Sequence, residues 1–318
     1  MVGIYILIFI ISCLILFWSG RWLVGALARI AKYLEWREFV VAFFIIAIAA
    51  SIPNLFVGIT SAIHKIPQLS FGDIVGGNLI DLTIAVALAA LFAKGLPAES
   101  RMVQTSAVFT MFIAILPLLL ILDGKLGRGD ALILIFTFIF YIFWLFSKKE
   151  RFTKIYNDTE IPIIKEFKIF LKDLGRVILG LFFLLLAAEG VVRSASFFSE
   201  NLGLPLASVG ILIVGLGNAI PETYFAIVAA RRAQNWMILG DLMGSVIVAA
   251  TLVLGIVALI CPIEITNFSP FAIARFFLII SAMFFLFFVR TDRKITKKEA
   301  VFLLSLYILF VTVEILTK

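Results

Sequence analysis

Apolar residues run along this chain in long unbroken blocks, with charged and turn residues confined to the gaps between them. Ten blocks each supply the roughly 20 mostly apolar residues that a helix needs to cross a bilayer core about 30 Å thick. They run from Val2 to Leu27, Glu38 to Ile63, Leu69 to Ala93, Met102 to Leu122 and Ala131 to Phe146. A second set runs from Leu174 to Ala195, Leu206 to Ala230, Trp236 to Ile260, Pro270 to Val289 and Ala300 to Leu316. The first block lacks a basic start and an A-x-A-like cleavage site, so it reads as a retained helix and not as a signal peptide. The pattern predicts an all-α integral membrane protein with ten transmembrane helices.

The longest polar stretch, 148–173, carries seven Lys and Arg residues and divides the chain into halves at 1–147 and 174–318. It reads as a solvated linker with an interfacial amphipathic portion. Loops after the odd-numbered spans hold 19 Lys and Arg, and the opposite loops with the C-terminus hold 5. The positive-inside rule then puts the linker in the cytoplasm and both termini outside.

Composition sharpens the class. Of 318 residues, 63% are hydrophobic and 15% charged, with a mean hydropathy of +1.16. Soluble domains run about 45–50% apolar and about 25% charged, so a water-soluble enzyme is disfavoured. The net charge of +7 is spread between apolar runs and forms no nucleic-acid patch. Cys13 and Cys261 cannot make a disulfide framework, and a single histidine, His64, leaves no room for His-rich metal chemistry.

Two segments match without a gap at an offset of 168 positions, one starting at Ser51 and the other at Ala219. Pro53 pairs with Pro221, Gly72 with Gly240, Asp73 with Asp241, Gly76 with Gly244, and Thr83 with Thr251. Chance similarity between apolar helices favours Leu, Ile and Ala, whereas here Pro, Gly and Asp coincide. Each half contains five spans, an odd number, so the second copy enters the membrane inverted. Inverted repeats are an architecture of alternating-access transporters, with sites near the midplane where helices are interrupted. Pro53 and Pro221 are expected to interrupt their spans and expose carbonyl oxygens able to meet a cation.

Asp81 falls near the middle of the third span and Glu222 near the middle of the seventh. An acid at a span centre costs about 2.5–3.5 kcal/mol on insertion scales, and no central Lys or Arg is available to compensate. A bound cation is the natural compensator, because hard cations prefer carboxylate, carbonyl and amide oxygens. The plain alternative keeps both acids protonated as structural groups. Asn54 matches Glu222 in the repeat, and Ser51, Asn78, Asn218 and Ser245 add oxygen donors near the same helix centres. Asp73 precedes Asp81 by two turns, about 12 Å, so Asp73 and Asp241 are expected at opposite mouths, lining access vestibules or capping helices. Gly72 with Gly76, and Gly240 with Gly244, read as close-packing pairs. Arg21 and Glu189 are also 168 positions apart but fall near opposite faces, and Glu189 is a candidate gate or pathway residue.

Together these residues resemble the cation/Ca²⁺ exchanger superfamily, specifically the prokaryotic sodium/calcium exchangers. The family pattern G-T/N-S-L-P-E, followed by G-N-x-x-G-S-N-x-x-N/D, appears here as AASIPN with GDIVGGNLID and as GNAIPE with GDLMGSVIVA. The alpha-repeats lie at about 48–91 and 216–259. The resemblance implies spans 2, 3, 7 and 8 around Ca²⁺ and Na⁺ sites, with spans 1 and 6 sliding as a gate. It implies transported cations as substrates and no cofactor. The site residues depart from the family: Asn54 and Ala249 stand where acids are expected, Asp81 where Asn is commoner, Gly77 for a serine, and Ala50 and Ala219 for hydroxyls. Glu222, Ser51 and Ser245 keep the family's ligand types, and Asn54, Asp81 and Asn218 are altered oxygen ligands.

A central charge of about −2 balances one Ca²⁺, two Na⁺ or two protons. The leading expectation is therefore Na⁺/Ca²⁺ antiport across the cell membrane. H⁺ or K⁺ as counter-ion, another divalent substrate, or a non-transporting ion sensor remain open beside it. An intramembrane aspartyl protease needs two adjacent Asp in a catalytic motif that is missing, and a zinc protease needs H-E-x-x-H. The sequence does not set the oligomeric state, and a monomer is compatible with it.

Overall fold

A computed structural model of the chain describes residues 2–33, 51–147, 163–231, 235–265 and 269–317. The start of the second predicted span, Ala50 and the first two-thirds of the linker lie outside these residues. The elements in chain order are α1 (Val2–Tyr33), α2 (Ile52–Ile63), α3 (Gln68–Ile80), α4 (Val86–Phe92), α5 (Arg101–Leu120), α6 (Arg128–Ser147) and α7 (Ile163–Leu202). There follow α8 (Leu206–Val209), α9 (Gly215–Arg231), α10 (Asn235–Val248), α11 (Leu254–Ile260), α12 (Ser269–Thr291) and α13 (Lys297–Leu316). Four two-residue strands sit in the connections: β1 (Leu96–Pro97), β2 (Lys125–Leu126), β3 (Ile263–Glu264) and β4 (Lys294–Ile295). Among the described residues, nine helical stretches are long and apolar enough to cross a membrane, and Ile52–Ile63 is a shorter apolar helix.

The sixth span, expected from Leu174, is the apolar stretch Gly175–Leu202, and its helix α7 begins earlier, at Ile163, within the predicted linker. Pro221 does not break its span, since α9 is helical from Gly215 to Arg231 with the proline inside. Proline removes only its own N–H and kinks the ladder, which deprives the Gly217 carbonyl of its partner without ending the helix. Pro53 instead stands in the first turn of α2, where a missing N–H costs nothing.

The interruptions lie elsewhere, in three π-helical turns. Asp81–Ala85 joins α3 to α4, Gly210–Val214 joins α8 to α9, and Ala249–Val253 joins α10 to α11. The first and third are 168 positions apart, as are the helices that follow them. In each, a threonine hydroxyl one turn on donates to a freed backbone carbonyl, Thr83 to Leu79 and Thr251 to Ile247, both at 2.5 Å. Single π turns inside α-helices recur at functional sites.

Buried apolar side chains form two main clusters and a third, smaller one around Tyr141. A large apolar core joins α3, α4, α5, α10, α11, α12 and α13 through residues such as Phe71, Leu79, Leu82, Leu254, Phe285 and Phe310. A smaller cluster, Leu16 with Leu184, Ala188, Val191 and Ala195, holds α1 against α7 and seats both on Val57 of α2, Leu69 of α3, Val209 of α8 and Val214. The large core is clamped at both ends by strand pairs. Leu96 and Pro97 of β1 pair with Ile295 and Lys294 of β4, and Lys125 and Leu126 of β2 pair with Glu264 and Ile263 of β3. A 2.7 Å ion pair between Lys125 and Glu264 sits on the second clamp. Neither clamp includes α1 or α7.

Glycines let the inner helices touch backbone to backbone. A Cβ at Gly72 would fall 2.2 Å from the Ala207 carbonyl oxygen, and one at Gly76 would fall 2.2 Å from that of Ile211. Gly215 likewise brings the start of α9 onto the backbone of α3 at Asp73 and Gly77. The close-packing reading of Gly72 and Gly76 therefore holds. A Cβ at Gly240 meets nothing within 4 Å, and the positions 168 before Ala207 and Ile211 lie outside the described residues.

Candidate ion-binding site

The glycine seam between α3 and α9 places acids from the two repeats side by side in the interior. Asp81 opens the first π turn and is 2% exposed; Glu222 lies one turn past Asn218 on α9 and is 8% exposed. The two carboxyl groups are within hydrogen-bonding reach of each other, and Asp81 also reaches the Ser245 hydroxyl. Ser245, buried on α10, donates to Glu222 Oε1 at 2.8 Å. Asp81 Oδ1 is buried without a hydrogen-bond partner. Four elements thus converge here: α3 with its π turn, α9 and α10.

A second rung lies on the same helix pair. The Asn218 amide nitrogen donates to Asp73, lying 3.0 Å from Oδ1 and 3.0 Å from Oδ2. Asn218 is therefore oriented by an acid, with its amide nitrogen turned to Asp73. Asp73 is 1% exposed and Asp241, one turn before Ser245 on α10, is 6% exposed. They were expected near opposite mouths, lining access vestibules or capping helices; in the structure both are buried, close enough for Asp241 and Asp73 to feel the charge of Glu222. The close seating of α3 on α8 and α9 explains the burial of Asp73.

The remaining predicted residues occupy the surroundings. Ser51 is buried at the start of α2, with its carbonyl accepting the Leu55 N–H at 2.9 Å, and Asn54 is half-buried in the first turn. Asn78 is buried one turn before Asp81. Glu189 does not join the site. It lies toward one end of α7, bonded to His64 at 2.8 Å and to Arg193 at 2.6 Å. The sequence reading did not find this cluster, although the topology it drew already places the ends of spans 2 and 6 on one face.

The electrostatics are one-signed. Among the described residues, the buried polar groups include Asp73, Asp81, Glu222 and Asp241 but no Lys or Arg. Two carboxylates in contact repel strongly at low dielectric, so a cation or proton between them is needed for both to stay buried. No group of three His, Cys, Asp or Glu side chains converges tightly enough to hold a metal alone among the described residues. A cation at Asp81 and Glu222 therefore depends on neutral oxygens for the rest of its shell. Ser245, bonded to Glu222, is suited to that role.

Comparison with known proteins fits this arrangement. The family profile "Sodium/calcium exchanger protein" matches residues 4–147 and 172–316. The sodium/calcium exchanger MaX1 of Methanosarcina acetivorans is 26% identical, over 98% of this chain and 99% of its own length. The inner membrane protein YrbG of Escherichia coli is 22% identical over 84% of this chain and 82% of its own. Among solved structures, the sodium-calcium exchanger NCX_Mj soaked with Na⁺ and Sr²⁺ superposes with a TM-score of 0.67 at 22% identity, covering 98% of this chain and 99% of that one. The last likeness establishes the fold.

Proposed function

Because this chain belongs to the sodium/calcium exchanger protein family, we propose that it is a secondary antiporter exchanging Ca²⁺ for Na⁺ across the cell membrane by alternating access. The observation that carries this reading is the buried contact of Asp81 with Glu222, drawn from different repeats, bridged to Ser245, with no buried basic side chain among the described residues to neutralise it. Such a pair tolerates the interior when a mobile cation sits between its oxygens. The ions are substrates, not resident cofactors.

The architecture of this exchanger is two inverted five-helix halves with ten spans. The matching π turns at Asp81–Ala85 and Ala249–Val253 support the repeat. Both termini face outward and the linker faces the cytoplasm. Each strand pair joins loops that the Lys and Arg count assigns to one face, β1 with β4 inside and β2 with β3 outside. The direct ion ligands are Asp81, Glu222 and Ser245, with Ser51, Asn54, Asn78 and Asn218 around them, and Asp73 and Asp241 flanking.

The test is radiocalcium uptake into proteoliposomes loaded with Na⁺, K⁺ or acidic buffer. Uptake driven by an outward Na⁺ gradient and abolished in Glu222→Gln supports the proposal. Uptake driven equally by K⁺ or H⁺ gradients with no response to Na⁺ assigns a different counter-ion, and binding without uptake assigns a sensor.

A further inference from the structure

One polar cluster outside the ion site joins two parts of the fold that otherwise meet through apolar side chains. His64 ends α2, its N–H bonded to the Thr60 carbonyl at 3.0 Å. The turn is closed by Lys65 at φ 59° and by the Ile66 N–H reaching back to Ser61 at 2.9 Å. This double closure is a Schellman-type helix end, so the imidazole rides on a fixed backbone. Its Nε2 meets Glu189 Oε2 at 2.8 Å, and Glu189 Oε1 accepts from Arg193 Nε at 2.6 Å. The end of α2 is thereby tied to α7.

That tie adds a polar contact to the apolar one that α2 makes with the α1/α7 pair through Val57. The clamped core is fixed at both faces by its strand pairs, whereas α1 and α7 pack on each other and belong to neither clamp. The α1 helix covers α2 and the site helix α9: Gly20 lies against Pro53 of α2, and Cys13 against Gly217 of α9. A displacement of the α1/α7 pair along the core would uncover these faces of α2 and α9.

We propose that His64 and Glu189 form a proton-strengthened latch that holds the α1/α7 pair against the core. Histidine is the side chain that changes charge between about pH 5 and 8. A protonated His64 adds an ion pair to the hydrogen bond with Glu189, which Arg193 already keeps oriented. The other charges facing this cluster are few. Lys65 is its neighbour on α2, Glu200 lies further along α7, and the nearby start of α3 offers Gln68, bonded to the Glu264 carbonyl. The π turn Ala249–Val253, α11 and the Val2–Gly20 part of α1 carry no charged residue. Acid on this face therefore tightens the latch and slows opening.

The proposal draws its consequence for transport from the exchanger reading, but the latch itself is tested by distance. Spin labels are placed at Gly129→Cys beside β2 and Asn201→Cys on α7, in a chain with Cys13 and Cys261 replaced by Ala. At about pH 5.5 the distance distribution is expected to be narrow and at about pH 8.5 broad; in His64→Gln it stays broad at both. An identical pH response in His64→Gln, or none in the parent chain, overturns the latch. In radiocalcium exchange, His64→Gln is expected to run about two- to fivefold faster than the parent at low pH and equally fast at high pH. A pH-dependent distance change in a chain that moves no calcium would leave the latch standing and count against the exchanger reading.

Discussion

Ser245 donates its hydroxyl to Glu222 at 2.8 Å, while the residue 168 positions earlier, Gly77, has no side chain to offer its own repeat partner Asn54. The two halves of the site are therefore chemically unequal although their backbones bend at matching turns. One repeat supplies an acid and a hydroxyl, Glu222 and Ser245. The other supplies an acid from a different register, Asp81, whose equivalent is Ala249. The acid pair is built across the repeats, one carboxylate from each.

Ser245→Ala tests how much the hydroxyl contributes. A hydrogen bond to a charged group is worth about 1.5–3 kcal/mol, so Ca²⁺ affinity should fall roughly 10- to 100-fold. Titration calorimetry checks this, and unchanged affinity would remove Ser245 from the ligand set.

Charge balance gives a second expectation. With Asp81 and Glu222 as the contacting acids, one Ca²⁺ or two Na⁺ leaves the occupied site neutral. Radiocalcium exchange in proteoliposomes should then change little under an imposed potassium diffusion potential. A marked acceleration would show that further charge, from Asp73 or Asp241, moves with the cargo.

The glycine seam gives a structural expectation. Gly76→Ala drives a methyl group toward the Ile211 carbonyl, a backbone atom that cannot swing away. Overpacking of this kind costs about 1–3 kcal/mol, and the apparent melting temperature should drop by roughly 2–10 °C. Gly129→Ala, where a Cβ meets nothing within 4 Å, should leave it unchanged or raise it.

Much of this was legible in the chain, for a physical reason. Lipid forces whole spans to be apolar, so the helices read directly from hydropathy, and an intramembrane acid such as Asp81 or Glu222 stands out against that background. The fixed offset of Pro, Gly and Asp marked the seam between α3 and its neighbours. Backbone detail did not read out. Pro221 looked like a break but is absorbed within α9, whereas the π turn at Asp81–Ala85 has no residue signature beyond Thr83. Side-chain pairing across elements was equally hidden. The bond from the Asn218 amide to Asp73 and the one between Glu189 and His64 have no signature in the sequence.

The central claim is that Asp81 and Glu222 hold one cation between them. Calcium-dependent thermal stabilisation of the purified protein, compared with Asp81→Asn and Glu222→Gln, tests it most directly. The account predicts that Ca²⁺ raises the melting temperature of the parent chain and leaves that of either variant unmoved, while both variants stay folded without it. Undiminished stabilisation in the two variants would contradict it.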